Sequence, residues 1–264
     1  MLLTINFTEK GIIIMSKNVI TLFQQDKEIK YTTSADNFNI QNIFIKDYDG
    51  TATPDTIIVK GYCQSDEFLR TIIKYHNKKD ANGKRKFMSH CFVITGKKMT
   101  DGLDHTFIIT DAVLNQFPTL EQKIDITKQA IDFFHKQIKH DENSVPNVCF
   151  LNYSGHFNIK NKTACDCVLL QHACEQLKMK AKFFSSQLDF ALSHESQEIK
   201  SNSDIPGLAD IIVVNDINEG NSIVKSFLLN GWKCYGYILG LDETVILNSR
   251  FNINQNLEAI DFIS

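Results

Sequence analysis

Apolar runs and helical periodicities alternate along most of the chain. Short runs rich in Ile, Val and Phe, which are typical of buried strands, occur at residues 18–23, 56–59, 91–95, 106–109, 148–153, 182–185, 209–214, 235–240 and 244–247. Longer segments with helical periodicity lie between them, at residues 66–75, 120–139 and 162–179. This alternation predicts an α/β fold with a largely parallel sheet.

Residues 120–139 give the strongest helical pattern. The apolar face repeats at steps of four and three, through Leu120, Ile124, Thr127, Ile131, Phe134 and Ile138. Pro118 and Thr119 mark its start, because proline and threonine are favoured at the beginning of helices. The polar segment 193–203 is predicted to lie on the surface instead. Residues 1–14 precede Met15 and are expected to be an extra N-terminal segment.

The composition excludes several classes of protein. The chain has 264 residues, of which 43% are hydrophobic and 22% charged, and its net charge is −3. These values are ordinary for a globular protein, and no basic stripe indicates nucleic-acid binding. No apolar stretch is long enough to span a bilayer. We therefore expect neither nucleic acid nor a membrane as a partner.

Seven cysteines at irregular spacings do not predict a disulfide framework. Reduced thiols in a cytoplasmic protein are the expected state. The cluster of Cys165, Cys167, His172 and Cys174 suggests zinc, but it lies in a predicted helix. Residues two apart on a helix do not face each other, so Cys165 and Cys167 are poorly placed to hold one ion. We expect no metal.

The segment from residue 209 to 252 has the features of a site that binds a phosphate or a carboxylate. A buried strand runs into Asn215 and Asp216, and a helix is expected to begin within residues 218–221. Such a turn can hold a phosphate or carboxylate on its N–H groups, and Gly220 lets a ligand approach the backbone. After two more strands comes Ser249-Arg250. An arginine at a strand end offers a bidentate fork for phosphate.

This segment resembles the phosphate acetyltransferase and phosphate butyryltransferase family. The resemblance rests on Glu219-Gly220-Asn221 with Lys225, on Gly236 and Gly240, on Val245-Ile246-Leu247 and on Ser249-Arg250. It extends upstream to Lys60-Gly61, Phe68-Leu69-Arg70, Ser89-His90, Thr110-Asp111-Ala112, Asn115, Pro118 and Leu120-Glu121-Gln122-Lys123, where the butyryltransferase branch is most similar. The order and spacing of these motifs cover roughly residues 56 to 256.

The resemblance implies two α/β lobes with a cleft, similar to the isocitrate and isopropylmalate dehydrogenase architecture. Residues 15–88 with 241–264 would form the first lobe and residues 89–240 the second. It also implies transfer of a short or branched acyl group between coenzyme A and inorganic phosphate. Coenzyme A would be a substrate and no cofactor would be needed. A homodimer or a larger assembly is expected.

The same resemblance implies roles for individual residues. Ser249 and Arg250 would be catalytic, with Arg250 on the phosphate and Ser249 donating a hydrogen bond to the acyl or phosphate oxygen. The residues implied to bind acyl-coenzyme A or phosphate are Arg70, Lys60, Gly61, Ser89, His90, Gly220, Asn221 and Lys225. Thr110, Asp111 and Asn115 would instead hold the turn between the lobes.

Two departures leave alternatives open. The family has an acid shortly after its Ser-Arg pair, where this chain has Asn252 and Asn256, and neither amide accepts a proton usefully at neutral pH. A second family acid is replaced by Ala191. The chain is therefore expected to be either a divergent acyltransferase or a non-catalytic relative that binds coenzyme A, an acyl phosphate or a protein. A nicotinamide-dependent decarboxylating dehydrogenase would need a cluster of metal-binding aspartates, which the sequence does not show.

Overall fold

The computed structural model describes residues 5–7, 13–15, 17–24, 38–53, 55–97, 104–154, 158–199, 207–249 and 255–263. The strands are β1 Ile5–Phe7, β2 Ile13–Met15, β3 Lys17–Phe23, β4 Phe38–Phe44, β5 Ile57–Lys60, β6 Ser89–Lys97, β7 Asp104–Thr110, β8 Asn147–Leu151, β9 Lys182–Ser186, β10 Ile211–Val213, β11 Lys233–Leu239 and β12 Thr244–Ile246. The α-helices are α1 Ser65–Tyr75, α2 Leu120–Phe133, α3 Lys162–Gln176, α4 Leu188–Leu192, α5 His194–Ile199, α6 Ile217–Leu229 and α7 Asn256–Phe262.

The chain divides into two compact units. The first unit comprises Met1–Lys86 and Tyr235–Ser264, and the second comprises Phe87–Cys234. The lobe boundaries expected from the resemblance, at residues 89 and 241, stay a prediction. No helix within the described ranges has both the length and the apolar character needed to cross a membrane.

The first unit is built on strands in the order β4-β3-β5-β12-β11. Strands β4, β3, β5 and β12 run parallel, and β11 pairs with β12 antiparallel. Val19, Leu22, Ile58 and Val59 are fully buried, which accounts for the nearly continuous apolar runs in β3 and β5.

The second unit has strands in the order β6-β7-β10-β8-β9, and all pairs except β6 with β7 are parallel. One face of this sheet packs on α6. Phe107 meets the rings of Phe227 and Trp232 edge-on, with centroids 5.4 and 6.3 Å away. The α/β class with mostly parallel strands, predicted from the alternation of elements, is confirmed in both units.

Several local predictions need correction. The long helix predicted over residues 120–139 is α-helical only to Phe133 and continues as a π-helix, Phe134–Lys139. Its start is confirmed, because the Thr119 side chain accepts from the Gln122 N–H while Gln122 accepts from the Thr119 N–H. Helix α5, within the segment 193–203 that was predicted to lie on the surface, was not predicted from the sequence. Strand β4 was not predicted at all.

A buried hydrogen-bonded triad joins distant parts of the first unit. The Tyr48 hydroxyl lies 2.7 Å from His76 Nε2, and His76 Nδ1 lies 3.0 Å from Glu243 Oε1. Burial raises the pKa of Tyr48, so the phenol stays protonated. The His76 side chain is only 2% exposed. The triad therefore connects the segment before β5, the end of α1 and the turn before β12.

The buried thiols lead to a first prediction. All seven cysteines are free; six are buried and Cys165 is half-buried. Burial raises the pKa of Cys167 to about 11 and those of Cys174 and Cys234 to about 12, which suppresses the reactive thiolate. Iodoacetamide at about pH 8 should therefore add one group to the native protein, at Cys165, and seven in denaturant. Mass spectrometry counts the adducts, and rapid modification of a second native cysteine would contradict this account.

A second prediction concerns Asp210, just before β10. Its Oδ2 accepts from the Asn147 N–H at 2.8 Å, but burial still raises its pKa above the usual range. The native state therefore binds the proton more tightly than the unfolded state, and stability is lost as pH rises through the native pKa. Asp210→Asn keeps the acceptor and removes the charge. Urea unfolding should show that the free energy of unfolding of Asp210→Asn, relative to that of wild type, increases as pH rises from about 4 to about 7. A constant difference over that window would contradict the assignment.

Candidate active site

Three predicted site residues meet where the parallel strands of the first unit end. Val59 of β5 lies opposite Ile246 of β12, so Lys60-Gly61 and Asn248-Ser249 leave their strands at the same edge. The Gly61 N–H donates to the Leu22 carbonyl at 2.8 Å, which adds the end of β3. We call Lys60, Gly61, Asn248 and Ser249 the first-unit edge. Ligands of open α/β sheets bind outside this end of the strands.

Three buried amide hydrogen bonds hold the first-unit edge together. The Gly236 N–H donates to Asn248 Oδ1 at 2.6 Å, and Asn248 Nδ2 donates to Asn256 Oδ1 at 2.9 Å. Asn256 Nδ2 in turn donates to the Lys60 carbonyl at 3.3 Å. Asn256 is fully buried. This amide chain links β11, the segment after β12, helix α7 and the end of β5, and so fixes Asn248, the residue before Ser249, relative to the end of β5.

The predicted site residues of the first unit differ in how far their side chains are exposed to solvent. Ser249 is half-buried, while Lys60 is only 1% exposed. Arg70 lies on the outer face of α1 with its side chain 83% exposed, 3.9 Å from Asp66. Arg250 and Asn252 lie outside the described residues. The assignment of Arg70 and Arg250 to the phosphate stays a prediction.

The second unit has its own cluster where β7 ends, because antiparallel β6 begins there with Ser89 and His90. Both residues are fully buried. Ser89 Oγ donates to Gln129 Oε1 at 2.5 Å. The His90 ring packs edge-on against Phe92, with centroids 4.6 Å apart. Both side chains are thus embedded in the unit's own packing, and their predicted contact with substrate stays a prediction.

Asp111 organises the turn that follows β7. Its carboxylate accepts from the N–H groups of His90, Val113 and Leu114 at 2.9 to 3.1 Å. The Asn115 side-chain amide donates to Asp111 Oδ2 at 2.6 Å and to the Met88 carbonyl at 3.0 Å. Thr110 Oγ1 donates to the His90 carbonyl. Thr110, Asp111 and Asn115 therefore bind mostly backbone groups, which is a structural role.

The turn before α6 is closed by internal hydrogen bonds. Asp216 is the N-cap and accepts from the N–H groups of Asn218 and Glu219 at 2.8 and 3.1 Å. The Ile217 N–H donates to the Gln116 carbonyl, and the Gly220 N–H donates to the Asp216 carbonyl. The helix begins at Ile217, one residue before the range expected from the sequence. A phosphate at this helix end would have to displace the Asp216 carboxylate.

A buried lysine and two polar partners support the same turn. Lys123 on the first turn of α2 is 6% exposed, and its Nζ lies 3.5 Å from Asn215 Oδ1. The backbone and side-chain N–H groups of Asn215 both donate to Glu219 Oε2, at 2.7 and 2.9 Å. Burial lowers the pKa of Lys123. Lys123 belongs to a motif shared with the family, but its position beside Asn215 could not be inferred from the sequence.

Gly220 gives a third prediction, because its small size is required for packing. A Cβ there would lie 2.9 Å from Val214 Cγ2 and 3.0 Å from the Ala112 backbone. Gly220→Ala gains about 1 kcal/mol of helix propensity but overpacks at a cost of about 1–3 kcal/mol. We expect net destabilisation, measured by thermal unfolding. Ser222→Ala, at an exposed position of α6, is the matched control and should be neutral. An equally stable Gly220→Ala with altered substrate affinity would instead favour a direct ligand contact.

The structure thus groups the predicted residues within each unit. Lys60, Gly61 and Ser249 converge at the first-unit edge, while Ser89 and His90 lie at the end of β7 and Gly220 and Asn221 follow β10. Lys225 is exposed further along α6. The supporting residues Asn248, Asn256, Lys123, Asn215 and Glu219 were not among the predicted site residues. The sequence feature that could have identified them is the presence of amide and charged side chains close to the predicted strand ends. The described part of the chain contains no group of three or more metal-ligating side chains suited to an ion.

The chain is similar to known proteins in both sequence and fold. A family model described as "Phosphate acetyl/butaryl transferase" matches residues 54–256. The chain is 31% identical over 197 residues to a phosphate acetyltransferase of Rickettsia felis, covering 73% of this chain. It is 27% identical over 198 residues to a phosphate butyryltransferase of Clostridium acetobutylicum, covering 74% of this chain. The matches cover 54% and 62% of those relatives, so the chain spans little more than half of their length.

Two solved structures are similar in fold. A branched-chain phosphotransacylase from Enterococcus faecalis V583 superposes with a TM-score of 0.71 at 23% identity, over 92% of this chain and 86% of that one. The EutD phosphotransacetylase from Staphylococcus aureus gives a TM-score of 0.57 at 19% identity, over 78% of this chain and 61% of that one. At these identities the likeness concerns the fold.

Proposed function

Since the chain belongs to the phosphate acetyl/butyryl transferase family, we propose that it transfers a short or branched acyl group between coenzyme A and inorganic phosphate. The observation behind the proposal is the first-unit edge, where Lys60-Gly61 and Ser249 follow neighbouring parallel strands and the amide chain links the ends of those strands. Lys60-Gly61 and Ser249, which belong to two family motifs far apart in sequence, share that edge. Such convergence at strand ends is typical of ligand sites in α/β proteins.

The chemistry requires positive charge and hydrogen-bond donors rather than a metal. In one direction the coenzyme A thiolate attacks the acyl carbon, a C–S bond forms, and the C–O bond to phosphate breaks. In the other direction phosphate oxygen attacks the thioester and the thiolate leaves. Negative charge develops on the acyl oxygen in both directions. Arg250 would hold the phosphate through its guanidinium fork, and Ser249 would donate a hydrogen bond to the developing oxyanion.

The proposed reaction does not require a base from Asn256. A thiol with an ordinary pKa near 8.5 has a few per cent of thiolate at about pH 7, which is already nucleophilic. Attack on an acyl phosphate should therefore accelerate as pH rises toward the thiol pKa, without help from a side chain.

A non-catalytic relative is the second candidate, and the environment of Asn256 favours it. Asn256 is buried and uses both ends of its amide within the first unit, so it has a structural role. Ala191, at the place of the second family acid, is buried in α4. Under this alternative the first-unit edge would bind coenzyme A, an acyl phosphate or a protein without turnover.

In the deciding experiment, purified protein is incubated with acetyl-, butyryl- or isobutyryl-coenzyme A, each with and without phosphate. The free thiol of coenzyme A is then measured. The proposal predicts phosphate-dependent release with at least one acyl group. Because thiol reagents also react with the protein, the half-buried Cys165 is replaced with serine as a matched blank. Binding of acyl-coenzyme A without release would favour the non-catalytic candidate.

The proposal includes an assembly state and a location. Acyl-coenzyme A and phosphate are the small-molecule partners, the assembly is a homodimer or larger, and the compartment is the cytoplasm. Seven free cysteines fit a reducing compartment. Sedimentation equilibrium tests the assembly, and a monomer at micromolar concentration would remove that part of the proposal.

A further inference from the structure

A cavity of about 410 Å³ lies in the second unit, apart from the predicted substrate-binding residues. Its walls come from the end of α2 with the following π-helix, from the loop before β8, and from the turn between α3 and β9. These segments lie at the edge where parallel β8 and β9 begin. Gly220 and Asn221 follow the end of β10, which is parallel to β8, so they lie toward the opposite edge of the sheet. The cavity is therefore a separate feature of this unit.

The charge of the cavity is positive although the chain as a whole is acidic. Four lysines line it, Lys128, Lys136, Lys178 and Lys180, against the two carboxylates of Asp132 and Glu142. The lining thus has a net charge of +2, while the chain has −3. Among the described residues, Lys128, Lys136 and Lys178 form no ion pair within 4.0 Å. We call this feature the lysine cavity.

Helix dipoles account for part of this charge but not for all of it. The C-terminal ends of α3 and of the π-helix both adjoin the lysine cavity. Each contributes about −0.5 charge, so together they offset about one lysine. A surplus of about one positive charge remains for a ligand.

Apolar side chains also line the lysine cavity. Ile131, Leu177 and Met179 contribute to it, and Leu177 remains 60% exposed. A leucine left exposed inside a concave surface is a contact for an apolar or planar group. The volume falls within the roughly 300–1,000 Å³ typical of small-molecule sites. The cavity thus combines lysine side chains and apolar side chains in one lining.

The walls are held in place by hydrogen bonds. Lys180 Nζ donates to the Glu142 carbonyl at 2.8 Å and to Asn143 Oδ1 at 3.0 Å, which joins the turn before β9 to the loop before β8. His135 Nε2 lies 2.9 Å from the Ser144 carbonyl, which joins the same loop to the π-helix. One N–H of Lys180 is left over by these bonds. The shape of the lysine cavity is therefore preformed.

We propose that the lysine cavity binds a phosphorylated organic anion of nucleotide class, with phosphates on Lys128, Lys136 and Lys178 and the base against Leu177 and Met179. A free nucleoside phosphate and the nucleotide end of coenzyme A share this chemistry. The site is independent of the acyl-transfer function, since none of these residues lies at the first-unit edge. The test of the lysine cavity is therefore the binding of a ligand and not enzymatic turnover.

The test is calorimetric titration with ATP at about 50 mM salt, where exposed charges are weakly screened. Wild type should bind with a Kd below about 1 mM, and Lys136→Glu should raise that Kd about tenfold or more, equivalent to about 1.4 kcal/mol. Lys79→Glu, an equal charge change at an exposed residue of the first unit, is the matched control and should stay within about twofold of wild type. Adenosine and inorganic phosphate, each lacking half of the ligand, should bind at least about tenfold more weakly than ATP.

The titrations distinguish the two sources of the nucleotide and can overturn the proposal. Displacement of ATP by desulfo-coenzyme A, with the same dependence on Lys136, would identify the coenzyme as the source of the nucleotide; failure to displace it would identify a free nucleotide. Absence of ATP binding, or equal binding by wild type and Lys136→Glu, would overturn the proposal. Equal weakening by Lys79→Glu would also overturn it, by showing attraction to overall charge alone. A catalytically inactive protein that still binds ATP through Lys136 would contradict the acyl-transfer proposal only.

Discussion

Arg250→Ala is expected to lower kcat/KM for phosphate-dependent acyl transfer by about 10²–10³-fold, which corresponds to about 3–4 kcal/mol of transition-state stabilisation. The expectation rests on Ser249-Arg250 following a parallel strand of the first-unit edge. A guanidinium held near departing phosphate stabilises charge without reorganising at the moment of reaction. Steady-state kinetics with saturating and limiting phosphate would measure the loss.

Arg250→Lys is the matched variant, because it keeps the positive charge and removes the planar fork. It should recover only part of the activity, with the remaining defect mainly in the KM for phosphate. Thermal unfolding of both variants should match wild type if the role is catalytic. Full activity in Arg250→Ala would remove this residue from the site.

Asn256→Leu is expected to destabilise the first unit by about 2–4 kcal/mol, since it breaks two buried hydrogen bonds at about 1–2 kcal/mol each. The change leaves Asn248 Nδ2 without the acceptor it uses and removes a donor from the Lys60 carbonyl. Urea unfolding followed by circular dichroism would show a lower midpoint. The position of Ser249 depends on the same amide chain, so activity should also fall.

Asn82→Leu is the control for this experiment, because Asn82 is exposed in a turn of the same unit. It should shift the unfolding midpoint little. If Asn256→Leu were as stable as wild type, the amide chain would not hold the first-unit edge, and the structural interpretation of Asn256 would be wrong.

The fold could be predicted where the pattern of side chains was strong. Continuous apolar runs such as 209–214 predicted buried parallel strands, and the periodicity from Leu120 predicted α2. Strand β4 was missed because Phe38–Phe44 has no continuous apolar run, and its alternation of apolar and polar residues breaks at Gln41-Asn42, where both residues are exposed. The change from α- to π-helix at Phe134 was missed because the apolar spacing continues through it.

The candidate site could be predicted only in part. Motif order identified Lys60-Gly61 and Ser249 as related, and strand register in the first unit shows them at one edge. Asn256 appeared only as a departure from the expected acid, because an amide in sequence gives no sign of burial between Asn248 and Lys60. Likewise residues 218–221 were expected to offer free N–H groups to a ligand, whereas the Asp216 side chain accepts from those of Asn218 and Glu219. Such partners are set by tertiary packing, which local pattern does not encode.

Phosphorus NMR of the reaction mixture tests the central claim most directly. Acyl-coenzyme A and inorganic phosphate are incubated with the protein, and the spectrum is followed while free thiol is measured in the same sample. The account predicts an acyl phosphate resonance that grows in equal amount with free coenzyme A and disappears when Arg250 is replaced by alanine. Thiol release without an acyl phosphate signal, or no release with acetyl, butyryl or isobutyryl substrates, would contradict it.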